Sequence, residues 1–146
     1  MSKNFDVEFI LWTGDNISHD IWSQAKETQT INTKDITEEI LKYFPNTTVY
    51  PMFGIFLTER FVLKILIGNH EAYPGDDFDT VGHESDWLLE ELSEMWKPWL
   101  DEQALESFRK KSYYSTVNTK LNVKVIALDT QACDTADFYL MRAPTD

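Results

Sequence analysis

Two short apolar runs, each cut off by a burst of turn-forming residues, constrain this chain more than anything else in it. Phe5 to Trp12 (FDVEFILW) is rich in β-branched and aromatic residues and ends apolar, as a strand buried on both faces does. Thr13-Gly14-Asp15-Asn16 then stops it. Thr47 to Met52 (TTVYPM) reads as a second strand. Between the two, Thr33 to Phe44 carries Ile36, Ile40, Leu41 and Phe44 at helical spacing, and Pro45-Asn46 ends the pattern. Asp20 is a candidate cap for a shorter helix running through Ile21, Trp22 and Ala25. Strand, helix and strand in that order call for an α/β or layered α+β domain.

The remainder fits the same class. Gly68 to Gly82 is dense in Gly, Pro, Asp, Asn and His and reads as a loop, its acidic cluster Asp76, Asp77 and Asp79 solvated. Glu84 to Trp96 is amphipathic, with Trp87, Leu88, Leu92, Met95 and Trp96 on one broad face. A helix is expected from Asp101 to Lys110, acidic at its start and basic at its end as the helix dipole prefers. Ser112 to Asn118 and Val123 to Leu128 form a hairpin turning near Thr119 to Asn122. The tryptophans fall mostly at helical spacing and are assigned to the core.

Charge narrows the partners. Against 13 basic residues stand 25 acidic ones, a net charge of −12. Such a surface repels phosphate backbones and anionic headgroups within about a Debye length, so no nucleic-acid partner is expected. The N-terminal residues carry no apolar signal region, and the apolar stretch Ile55 to Ile67 is interrupted by Glu59, Arg60 and Lys64. Cys133 is the only cysteine. In a cytosolic protein it would be a small buried hydrophobe, and in a secreted one a partner for a cysteine elsewhere.

Two loops carry the candidate chemistry: Gly14-Asp15-Asn16-Ile17-Ser18-His19-Asp20 and Gly68-Asn69-His70-Glu71, each shortly after a strand. Groups at the carboxyl ends of strands converge on a crevice in layered α/β proteins. A carboxylate can bridge two divalent ions, an amide oxygen can ligate one, and imidazoles can ligate or donate protons. Taken singly, each has a plainer reading. Gly-Asp after a strand is a common turn, His19 alone suits a surface, and Glu71 is suited to orienting its neighbours.

Taken together, the loops resemble a family. Phe9-Ile10-Leu11-Trp12-Thr13-Gly14-Asp15-Asn16 with His19-Asp20-Ile21-Trp22 is similar to the second metal motif of acid sphingomyelinases and their relatives. Val49-Tyr50-Pro51-Met52-Phe53 followed by Gly68-Asn69-His70-Glu71 resembles their third. Trp87-Leu88, Trp96-Lys97-Pro98-Trp99-Leu100, Tyr113-Tyr114-Ser115, Val125 to Thr130 and Asp137-Phe138-Tyr139-Leu140 match in the same order. The resemblance implies a calcineurin-like metallophosphoesterase fold, a layered α/β/β/α sandwich of mixed sheets, here incomplete. It implies residues 1–146 to be an internal part of the catalytic domain, preceded by an Asp-x-His motif and followed by Gly-His and Gly-His-x-His. It further implies two zinc ions, with Asp15 bridging both and Asn69 ligating one, and with His70 and His19 as proton donors to the leaving alkoxide. The implied reaction cleaves sphingomyelin to ceramide and phosphocholine, a nucleotide phosphodiester or triphosphate being the alternative substrate. A non-catalytic fragment or binding module is the rival from another class. The parent would be secreted or lysosomal and would meet a membrane surface only through its substrate. For the choline headgroup, whose recognition calls for aromatic faces, Tyr73 lies near the site in sequence.

Gly54 to Ile67 has no counterpart in the resemblance. Excising it restores Met-Phe-Gly-Asn-His-Glu, and its Ile, Phe, Leu and Lys content suits AT-rich codons. We read it as a retained intron translated in frame, a genuine insertion being the alternative. It should introduce slack where the chain must turn towards Asn69, the alternative being that it pairs as an added edge strand or helix.

Overall fold

The computed structural model describes residues 7–18, 20, 23–52, 56–57, 62–63, 70–79, 83–131 and 137–142. Strand β1 (Phe9–Trp12) leads through helix α1 (Lys26–Tyr43) to strand β2 (Thr48–Pro51), and the two strands pair in parallel with Phe9 opposite Thr48 and Trp12 opposite Pro51. This is a strand–helix–strand unit, and its parallel pairing brings the carboxyl ends of both strands to one edge. Strands β3 (Phe56–Leu57) and β4 (Val62–Leu63) follow, then helices α2 (Asp86–Trp96) and α3 (Glu102–Lys111). Strands β5 (Tyr114–Asn118) and β6 (Val123–Ala127) form the expected hairpin, and a short helix α4 (Phe138–Arg142) comes last. Among the described residues there are thus two small sheets, β1-β2 and an antiparallel β4-β3-β6-β5. The mixed α/β class expected from sequence is what folds.

The core lies where α2 and α3 meet both sheets. Tyr50 of β2 and Met52 just after it, Leu88, Leu92 and Trp96 of α2, Leu105 and Phe108 of α3, and Tyr114, Val125 and Ala127 of the hairpin are all buried in one cluster. Trp96 and Phe108 stack with ring centroids 4.7 Å apart, and Trp12 meets Trp96 and Trp99 edge-on at 6.5 and 6.1 Å. Two side chains tie the sheets together. The Tyr114 hydroxyl donates to the Pro51 carbonyl at 2.8 Å, and Asn118 Nδ2 donates to the Tyr50 hydroxyl at 2.9 Å.

Helix α3 obeys its sequence signals. The Asp101 carboxylate accepts from the Ala104 N–H at 2.8 Å, Arg109, Lys110 and Lys111 fill the last turn, and Ser112 ends the helix at φ 57°. Helix α1 does not. It begins seven residues before the expected Thr33, and no side chain caps it at Ala25. Its buried stripe is Gln29, Thr33 and Thr37, whereas Ile31 is 56% exposed. Apolar spacing could not reveal a helix that docks by polar residues. The short helix expected after Asp20 falls largely on residues outside the described ones; the Asp20 carbonyl accepts from the Ser23 N–H and its carboxylate from Ser18, Ser23 and Gln24.

The acidic cluster also departs from expectation, because it is not a solvated loop. Asp79 is buried and accepts from the Glu84 N–H, while Asp77 is covered by Arg142 at 3.2 Å. The buried Asp137 accepts from the N–H groups of Phe78 and Tyr139, so α4 is fastened to this loop. Proximity in sequence concealed partners that arrive from some sixty residues away, such as Arg142 and Asp137. Within 54–67 the described residues are β3 and β4, and β3 pairs with β6, Phe56 opposite Ala127 and Leu57 opposite Ile126. That part of the segment adds two strands to the sheet rather than hanging as slack. Cys133 lies outside the described residues.

Candidate functional site

Strand β1 ends in two consecutive left-handed residues, Gly14 at φ 77° and Asp15 at φ 65°. Glycine takes that region without penalty, and aspartate more readily than most other residues. The chain therefore folds back sharply and leaves the Asp15 carboxylate about half exposed at the carboxyl edge of the parallel pair. Residues 70–79 meet this turn through Glu71 and His70. The two loops are then bolted together by hydrogen bonds.

Glu71 Oε1 accepts from the Asn16 backbone N–H at 2.8 Å and from Asn16 Nδ2 at 2.9 Å. Asn16 Oδ1 in turn accepts from Trp12 Nε1 at 3.0 Å. Glu71 is 2% exposed, and burial raises its pKa, the Asn16 N–H opposing and the nearby Asp15 charge adding to the rise. It therefore orients its neighbours, as expected from sequence. Behind it, Trp12, Gly14, Met52, Leu92 and Trp96 line a cavity of about 10 Å³, room for one water at most.

His70 is also buried, and its Nδ1 sits 2.9 Å from the Ile17 carbonyl and 3.9 Å from Asp15 Oδ1. A carbonyl only accepts, so Nδ1 carries the proton of the neutral ring. From α1, Gln29 Nε2 donates to the carbonyls of His70 and Ala72 at 3.2 and 2.5 Å. Sequence gave no sign of Gln29, which precedes the expected helix and carries no chemistry of its own.

Of the four residues singled out from sequence, Asp15 and His70 are brought together, while His19 and Asn69 lie outside the described residues. The donors present suit zinc in kind: a half-exposed carboxylate beside an imidazole. They do not complete a shell, since among the described residues no three His, Cys, Asp or Glu side chains gather to hold an ion. Tyr73 is 39% exposed, the next residue but one after Glu71.

No protein-family model matches the chain. Among curated proteins it is 38% identical over 133 residues to sphingomyelin phosphodiesterase A of Dictyostelium discoideum, covering 91% of this chain and 20% of that protein. Sphingomyelin phosphodiesterase 2 of Caenorhabditis elegans is 33% identical over 149 residues, 96% of this chain and 21% of its own length. The human cyclic GMP-AMP phosphodiesterase SMPDL3A is 31% identical over 127 residues, 86% of this chain and 24% of its own. The chain spans about a fifth of the length of the first two of these relatives.

Proposed function

Because this chain belongs to the acid sphingomyelinase-like phosphodiesterase family, we propose that it forms an internal part of a phosphodiester hydrolase, contributing one side of a two-zinc site within a layered α/β/β/α sandwich. The observation that carries the reading is the meeting of Asp15 and His70 at the shared edge of β1 and β2, in a chain similar to such enzymes along nearly its whole length.

Asp15 and Asn69 are the residues that would hold zinc. Bound there, zinc supplies Lewis acidity and water activation near neutral pH. The chain's own work is to hold and to move protons. The Ile17 carbonyl fixes the proton on Nδ1 of His70, so that the protonated ring would give up the Nε2 proton to the leaving alkoxide. His19 is proposed as a second donor. Glu71, held by Asn16, keeps the two loops in register. With Asp15 and Asn69 as its only proposed ligands, the 146-residue chain alone should hydrolyse nothing above background.

The substrate we favour is sphingomyelin, cleaved to ceramide and phosphocholine, with the parent acting in a secreted or lysosomal setting. No described helix is long and apolar enough to cross a membrane. Contact with a bilayer is proposed to come through the lipid substrate. A second reading, hydrolysis of a cyclic dinucleotide, is favoured by the similarity to the cyclic GMP-AMP phosphodiesterase.

A chimera tests both. This stretch would replace its counterpart in the Dictyostelium discoideum sphingomyelin phosphodiesterase A, and zinc-dependent release of phosphocholine and cleavage of cyclic GMP-AMP would be followed side by side. Activity that falls to background in Asp15→Asn, whose amide cannot neutralise two cations, is the expected result. Full activity in that variant would remove Asp15 from the metal site.

A further inference from the structure

We propose that Gln29 is a positioning residue for the His70 loop, an inference that rests on the phosphodiesterase reading above and deepens it. Gln29 is 1% exposed on the first turns of α1. Its two bonded neighbours are carbonyl oxygens, of His70 and Ala72, which only accept, so the amide nitrogen must face them. Each of its two hydrogens then has one acceptor. Residues 70 to 72 lie in a turn, and the amide ties two of its carbonyls to α1.

Burying an amide is unfavourable unless it is satisfied, and this one is satisfied on one side only. Gln29 Oε1 is buried without a hydrogen-bond partner among the described residues. A leucine or methionine would fill the space with no orphaned acceptor. What glutamine adds is the pair of bonds to the His70 loop. These set where the backbone of residue 70 lies, hence whether the ring reaches the Ile17 carbonyl at 2.9 Å and Asp15 at 3.9 Å. A chain of contacts thus runs from α1 to His70 and on to the loop after β1.

The test uses Gln29→Met and Gln29→Leu in the 146-residue chain, with far-ultraviolet circular dichroism to establish folding and nitrogen-15 spectra of histidine-labelled protein to read His70. The expected result is that His70 Nδ1–H, slow to exchange in the parent sequence, is lost to exchange with water in a folded variant. The signals of the β5–β6 hairpin stay in place. A merely structural role would lower the melting midpoint and leave the Nδ1 proton unmoved, and that result overturns the proposal. Loss of fold in both variants overturns it as well, since Gln29 would then be a core residue first. In the chimera the same substitutions should lower kcat by roughly 10- to 100-fold, as supporting partners of a metal site do, with KM within about twofold. A chimera that is inactive with Gln29 intact refutes the phosphodiesterase reading, and the spectra still decide the role of Gln29.

Discussion

Asp129 sits just past the end of β6, and one of its oxygens, Oδ2, is buried with no hydrogen-bond partner among the described residues. Burial pushes its pKa from the usual 3.8 up to about 6, the Ser112 hydroxyl and the Gln131 N–H resisting and the Asp137 charge adding to the rise. Because the folded value exceeds the unfolded one, the folded state prefers the protonated acid. Below pH 3.8 both states are protonated and nothing is lost, whereas above about 6 both are ionised and the folded state bears the whole cost. The loss is roughly 1 kcal/mol at pH 4.5 and roughly 3 kcal/mol at pH 7. Asp129→Asn abolishes this titration. The new amide keeps the acceptor used by Gln131 at 2.9 Å but sets an N–H group where Oδ2 was. That misfit costs about the same at every pH, so it cancels when two pH values are compared. Urea unfolding of both proteins at pH 4.5 and 7 should therefore show the variant gaining about 2 kcal/mol on the parent over that interval. A stability difference that stays constant or reverses would refute the assignment of a raised pKa to Asp129.

Tyr114→Phe keeps the buried ring but removes the donor to Pro51, and should lower unfolding free energy by about 1–2 kcal/mol in urea melts. A smaller loss would mean that the Pro51 carbonyl finds another donor. Asp101→Ala removes the cap of α3 and should cost about 1 kcal/mol, largely restored by Asp101→Asn, as read from thermal midpoints. Deleting 54–67 strips β6 of its β3 neighbour and should lower the midpoint; an unchanged or higher one would support the retained-intron reading, which sequencing of spliced transcripts tests independently.

Much of the fold was legible because its elements bury apolar side chains at regular spacing. Leu88, Leu92 and Trp96 line one face of α2, and Asp101 announces α3 by its own chemistry. The β5–β6 hairpin falls where alternation and Asn122 place it, the latter at φ 54°. What escaped was held by polar groups whose partners are remote in sequence. The early turns of α1 pack through Gln29 and Thr33, and the loop of Asp77 and Phe78 is closed by Arg142 and Asp137. Periodicity records hydrophobic burial, so polar docking leaves no trace in it.

The site divides along the same line. Asp15 and His70 could be named from the sequence because each is itself a reactive group lying in a recognisable loop. Their geometry could not, since it is set by groups that react with nothing: the Ile17 carbonyl, Asn16 and Gln29. These supporting groups come from two separate places, the loop after β1 and helix α1, and only the fold brings them to the 70–72 loop. The two-metal hydrolysis proposed above would depend on such support, because a proton donor displaced by about an ångström loses most of its effect. Substitutions that keep Asp15 and His70 but disturb Asn16 or Gln29 should therefore impair the reaction while leaving the motif intact to any reader of the sequence.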